Sequence, residues 1–193
     1  ELGPRKIRLI DRKKNVFKLS QGEFVCAERL ENMYLRSPWI SQICIVGDTE
    51  EDSVVAIVVP NQKLLEEWFI QENVQNVEDA AENLELQNLL LAQMTEVAKQ
   101  HELRSFEIPC GVLVELEPFT VQNGKLTPSL KIKRPAFSSP EYAQKLRNLY
   151  SRSADRLNSI KQKLVEVMGL ATSNSKDQLG ALGIDSISAV RIS

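Results

Sequence analysis

The strongest constraint on the fold is a run of six consecutive apolar residues, "VVAIVV", at positions 54–59. Six residues cannot cross a bilayer, which takes about 20 in a helix, and their branched side chains favour a β-strand. Pro60 closes this strand because proline has no backbone N–H to donate. A second strand, "ISQICIVG", is predicted at 40–47, with the acidic turn "DTEED" between the two.

Other strands and helices are predicted on both sides of this pair. Strands are predicted at 6–10, 15–20 and 111–118, and helices at 27–36, 61–71 and 84–102. The polar turn "DRKKN" would join the first two strands as a hairpin. Residues 120–135 are polar, basic and rich in turn formers, so they predict a surface loop. This order of elements predicts a small α+β domain.

The pattern of the chain changes near residue 150. Pro135 and Pro140 precede a predicted helix at 141–150, and "SRSADR" predicts a polar joint after it. A helical pattern follows at 157–170, and another helix only begins in "LGALGIDSISAVRIS". We therefore predict two units, an α+β domain at residues 1–150 and an incomplete all-helical unit at residues 151–193.

The composition narrows the possible functions. The chain has 193 residues and a formal net charge of −2, so no overall field draws it to nucleic acid or to a membrane. The three cysteines have no metal-site spacing and predict thiols in a reducing compartment, the cytoplasm. His101 is the single histidine, which argues against a histidine-based triad or a multi-histidine metal site. No metal site is predicted.

Ser186 begins the last predicted helix, in the context "LGIDS". A serine there can simply cap the helix. The segment also resembles the attachment site of acyl and peptidyl carrier domains, after an amphipathic helix and a long loop. That resemblance implies that Ser186 carries 4′-phosphopantetheine, which a phosphopantetheinyl transferase adds from coenzyme A. The helix N-terminus would favour the phosphodiester charge.

The segments "KLSQGEFV", "FEIP", "PFT", "NGKLTP" and "LKIKRP" resemble a second family. They are similar to the small C-terminal lid of adenylate-forming enzymes of the long-chain acyl-CoA synthetase and carboxylic acid reductase type. The resemblance implies a lid subdomain over residues 1–150, with a hairpin and a small sheet with helices, followed by a partial all-α carrier domain. It also implies ATP, AMP and Mg²⁺ as ligands of the full enzyme, and a large N-terminal adenylation subdomain as partner.

The same resemblance assigns roles to individual residues. Arg12 would contact the nucleotide ribose, Lys14 would lie at the hinge of the lid, and Gly22 would line the pantetheine tunnel. Lys131 would stabilise charge as pyrophosphate leaves during adenylation. Lys125, in "NGK", is the rival for this catalytic role, and without the family pattern each lysine would be an ordinary solvated loop residue.

Three functional hypotheses follow. In the first, the parent enzyme activates a fatty or other carboxylic acid with ATP and passes it to the carrier thiol for reduction to an aldehyde. That outcome needs NADPH and a reductase domain after residue 193. In the second, it is a long-chain acyl-CoA ligase or the loading module of a polyketide-type synthase. In the third, the basic clusters at 5–18 and 125–134 form a non-catalytic interaction module.

Overall fold

The computed structural model describes residues 16–74 and 80–167. Its strands are β1 (Val16–Lys18), β2 (Phe24–Cys26), β3 (Ile40–Gly47), β4 (Val54–Pro60) and β5 (Val112–Val114). Its α-helices are α1 (Ala27–Tyr34), α2 (Gln62–Gln71), α3 (Leu84–Gln100) and α4 (Pro140–Val167). Two 3-10 helices lie at Ser105–Glu107 and Arg134–Ser138. The predicted mixed α+β domain is confirmed.

The central sheet has the order β3-β4-β5. β3 and β4 are antiparallel, with Ile45 opposite Ala56, whereas β4 and β5 are parallel, with Ile57 opposite Leu113. Every residue of β4 is buried, because helices cover both faces of the sheet. The uninterrupted apolar run that predicted this strand is thus typical of a strand with two covered faces.

Alternate residues of β4 belong to two different hydrophobic clusters, as the period of two along a strand requires. Val54, Ala56 and Val58 pack in a cluster with residues of α1 and α3. Val55, Ile57 and Val59 pack in a second cluster with residues of the Arg134–Ser138 helix and of α4. The sheet therefore fixes the loop before α4 relative to α1, and this loop carries both candidate lysines.

The N-terminal hairpin of the described chain differs in part from the prediction. β1 confirms the core of the strand predicted at 15–20, but it pairs with β2, placing Val16 opposite Cys26. The turn between them is closed by the N–H of Leu19, which donates to the carbonyl of Glu23 at 2.8 Å. The strand predicted at 6–10 and its hairpin turn lie outside the described residues.

Helix α4 corrects the prediction of a polar joint at 151–156. The helix continues without a break from Pro140 to Val167, so that joint and the separate start of a helix at 157 are wrong. The stretch contains no glycine or proline to end a helix, and Arg156 donates a hydrogen bond at 3.0 Å to Asn88 on α3. The predicted boundary at residue 150 falls inside α4, and the carrier-domain assignment of residues 151–193 stays a prediction.

No candidate membrane span occurs among the described helices. Within residues 16–74 and 80–167, none of them combines the length and the apolar character that spanning a bilayer requires.

Candidate functional site

The candidate site is built on a small hairpin that precedes α4. Leu126 and Ile132 pair as an isolated antiparallel bridge, and residues 127–131 form the tip between them. We call residues 126–132 the tip loop. An open groove of ≈ 380 Å³ lies between the tip loop, α1 and β3.

Thr127 holds the tip loop closed. Its backbone N–H donates to the carbonyl of Lys131 at 2.8 Å, and its carbonyl accepts the N–H of Leu130 at 2.8 Å. Its Oγ1 accepts the backbone N–H of Lys131 at 3.1 Å. Leu130 has a φ of 59°, in the left-handed region that leucine seldom occupies. Two of these hydrogen bonds therefore fix the backbone of Lys131, and the third fixes that of Leu130.

The side chain of Lys131 lies in the groove and is 53% exposed. Its Nζ lies 3.1 Å from Oε1 of Glu28, near the start of α1. An ion pair this exposed contributes little to stability, about 0–1 kcal/mol. Lys131 can therefore leave Glu28 for another anion at a small cost in free energy.

The base of the tip loop is anchored by Arg134. Its guanidinium donates to both carboxylate oxygens of Glu31, at 2.9 and 2.8 Å, and to the carbonyl of Ile45 at 2.9 Å. Burial raises the pKa of Glu31, and the Arg134 charge and the N–H of Ile45 oppose that rise. This network joins the loop to α1 and β3, which form the other walls of the groove.

Lys125 has a different environment from Lys131. Its side chain is 12% exposed and pairs with Glu115, and Glu117 lies 3.8 Å from its Nζ. The rings of Phe119 and Tyr142 have their centroids 5.7 and 5.8 Å from the same Nζ. Lys125 is therefore not the solvated loop residue that its local sequence by itself would suggest.

The ionisation of Lys125 reflects these neighbours. Burial by itself lowers the pKa of Lys125, but hydrogen bonding and charge from Glu115 and Tyr142 more than offset it, so the pKa is raised. The lysine is a firmly paired cation inside the fold. The structure does not bring the two candidate lysines to one site, because Lys125 faces α4 while Lys131 faces α1.

Gly22 lies in the turn between β1 and β2, with a φ of +91°. A Cβ added there would meet only Cε of Lys18, at 3.8 Å, so this glycine is required by its backbone conformation. Its tunnel role stays a prediction. Arg12, Lys14 and Ser186 lie outside the described residues, so their roles stay predictions too. No cluster of three potential metal-binding side chains occurs in the part of the chain that the structure describes.

Comparison with known proteins identifies relatives of this chain, although no protein-family model matches it. Long chain acyl-CoA synthetase 2 of Arabidopsis thaliana is 40% identical over 131 residues, which are 67% of this chain and 20% of the relative. Long-chain-fatty-acid–CoA ligase 6 of Homo sapiens is 39% identical over 149 residues, 76% of this chain and 21% of the relative. The chain thus spans about a fifth of these relatives.

Three of the solved structures that match this chain contain adenylation domains of carboxylic acid reductases. The adenylation domain of carboxylic acid reductase from Segniliparus rugosus, in complex with AMP and a co-purified carboxylic acid, matches 79% of this chain with a TM-score of 0.66 and 32% identity. The corresponding domain from Mycobacterium chelonae matches 78%, with a TM-score of 0.66 and 38% identity. The A-PCP didomain of the Segniliparus rugosus enzyme, in complex with AMP, matches 89%, with a TM-score of 0.65 and 30% identity. Each match covers 22% of the solved chain.

The chain is therefore homologous to part of the adenylate-forming enzymes, which are ATP-dependent ligases. Its sequence relatives are long-chain acyl-CoA synthetases, and its structural neighbours are adenylation domains of carboxylic acid reductases.

Proposed function

We propose that this chain supplies the lid of an enzyme that activates a fatty or other carboxylic acid with ATP and transfers the acyl group to a phosphopantetheine thiol. The observation that carries the proposal is the placement of Lys131. The tip loop presents this lysine at an open groove in a weak ion pair, whereas its rival Lys125 is enclosed by Glu115 and Tyr142. The free thiols Cys44 and Cys110 support a cytoplasmic enzyme.

Lys131 would have one role in the adenylation step. A carboxylate oxygen of the acid attacks the α-phosphorus of ATP, and the bond to pyrophosphate breaks. Mg²⁺ in the full enzyme would neutralise phosphate charge. The ammonium of Lys131 would stabilise the charge that develops on the α-phosphate, and removing such a contact costs about 10²–10³ in rate by analogy with an oxyanion-hole donor.

The second half-reaction would use other parts of the chain. After a rotation about Lys14, the face near Gly22 would admit the pantetheine thiol, which attacks the acyl carbonyl and releases AMP. Arg12 would hold the ribose. Domain rotations of this kind serve as gating steps.

Ser186 would carry the thiol acceptor. Its attachment sequence and the match to an A-PCP didomain support a carrier unit in residues 151–193. With a reductase domain downstream, NADPH would reduce the thioester to an aldehyde. The acyl-CoA synthetase relatives support free coenzyme A as the acceptor equally well. Comparing acyl transfer to coenzyme A and to the phosphopantetheinylated carrier would separate the two.

The test of the catalytic lysine is pyrophosphate release by the full-length parent enzyme with Lys131→Ala or Lys125→Ala. We expect a loss of about 10²–10³ for Lys131→Ala, with transfer from supplied acyl-adenylate largely kept. Melting curves must accompany both variants, because Lys125 also stabilises the fold. A normal rate for Lys131→Ala beside a folded but inactive Lys125→Ala would contradict the assignment.

The test of the carrier site is intact-mass analysis of the full-length protein after incubation with a phosphopantetheinyl transferase and coenzyme A. One added arm is expected on the wild type and none on Ser186→Ala. Equal labelling of the two would exclude Ser186.

The interaction-module hypothesis loses support in the structure. Two cations of its second cluster, Lys125 and Arg134, form largely enclosed ion pairs with glutamates of the same chain. A basic surface for an anionic partner needs cations that are not already neutralised.

A further inference from the structure

Leu130, directly before Lys131, has two features that do not help this domain to fold. Its side chain is 72% exposed, and its backbone φ is 59°. The left-handed region is unfavourable for a leucine because its Cβ crowds the following carbonyl. Glycine or asparagine would adopt this conformation more easily.

The turn itself does not need a leucine at this position. Its hydrogen bonds use the backbone of residues 127–131 and the hydroxyls of Thr127 and Ser129, and none of them uses the side chain of Leu130. A residue that tolerates a positive φ would keep all of them. The apolar side chain is therefore not explained by the described fold.

The ion pair with Glu28 does not by itself hold the side chain of Lys131 in one position. A lysine side chain is a flexible four-carbon stem, and the exposed contact with Glu28 is weak. Leu130 lines the same groove as Lys131, and the half-exposed Leu35, directly after α1, adds a second apolar side chain to it. The groove therefore offers an apolar contact beside the cation.

We propose that Leu130 is a positioning residue for Lys131. In the adenylation pose its side chain would be buried against the remainder of the same enzyme, which makes up about four fifths of the relatives' length. That contact would fix the tip loop while Lys131 reaches the α-phosphate. The inference rests on the proposed function of Lys131.

The experiment uses the full-length enzyme with Leu130→Gly, Leu130→Asn and Leu130→Met. Burying a leucine is worth about tenfold to a hundredfold in an equilibrium, so we expect kcat for pyrophosphate release to fall by that factor in the Gly and Asn variants. The KM for ATP should change little, and Met should keep near-normal kcat. Melting temperatures should follow the opposite order, with Gly and Asn at or above wild type.

Ile70→Asn is the matched control, because Ile70 is an 81% exposed apolar residue on α2 and does not line the groove. It should leave kcat unchanged. A Leu130→Gly enzyme with normal kcat beside an inactive Lys131→Ala enzyme would overturn this inference and leave the proposed function intact. Activities that follow the melting temperatures would also overturn it. An active Lys131→Ala enzyme would overturn both proposals.

Discussion

Replacing Lys125 by alanine should destabilise the folded chain, although Lys125 lies in a loop. The change removes the cation that pairs with Glu115, whose own side chain is only 14% exposed. Truncating one partner of a buried ion pair costs about 3–5 kcal/mol, because the other charge stays buried without a partner. The ring contacts with Phe119 and Tyr142 add about 0.5–1 kcal/mol.

Because both partners keep a little solvent contact, we expect a loss of about 3 kcal/mol in the free energy of unfolding. For a chain of this length, that loss lowers the melting temperature by about 6–12 °C. Urea and thermal unfolding followed by circular dichroism measure both quantities. Lys131→Ala is the control, because its pair with Glu28 is exposed and should be worth less than about 1 kcal/mol. Equal stabilities of the two variants would refute the structural role of Lys125.

The same pair predicts a pH dependence. The pKa of Lys125 is raised in the folded chain above its ordinary value of 10.5. Its stabilising contribution is therefore fully present below pH 10.5 and is lost as the pH rises through the raised value. The stability difference between wild type and Lys125→Met should shrink across that alkaline range. A difference independent of pH would show that the charge of Lys125 is not involved.

Three further experiments test Glu31 in the wall of the site, Gly22 in the turn before β2, and the buried thiol of Cys44. Glu31→Ala leaves the Arg134 guanidinium without its carboxylate and should cost about 3–5 kcal/mol in urea unfolding; a smaller loss than for Lys125→Ala would contradict the anchoring role. Gly22→Ala meets no steric clash, so only the positive φ should matter, at about 1–2 kcal/mol; an unchanged melting temperature would disprove this. Burial raises the pKa of Cys44 to about 12, so its thiol should resist alkylation at neutral pH until urea unfolds the chain. Mass spectrometry measures the alkylation, and the partly exposed Cys26 is the control.

The sequence alone determined the elements whose signals are local. The apolar run of β4 and the strand pattern of β3 predicted both strands close to their observed bounds. Helix α3 begins where predicted and α2 begins one residue later, because Asn83 and Asn61 cap them by accepting backbone N–H bonds. The spaced motifs likewise predicted a resemblance to adenylate-forming enzymes, and the relatives confirm homology to part of such enzymes.

Features that depend on residues distant in the sequence were determined only by the tertiary structure. Local sequence predicted a polar joint after residue 150, but packing on the sheet and the contact with α3 extend α4 through it. The two lysines looked alike in sequence because both lie in one polar loop that is rich in turn formers. Their partners lie 10 residues away for Lys125 and 103 residues away for Lys131. Only the packing of the chain brings such charges together, so burial and pairing, which separate a structural cation from an available one, could not be read from the sequence.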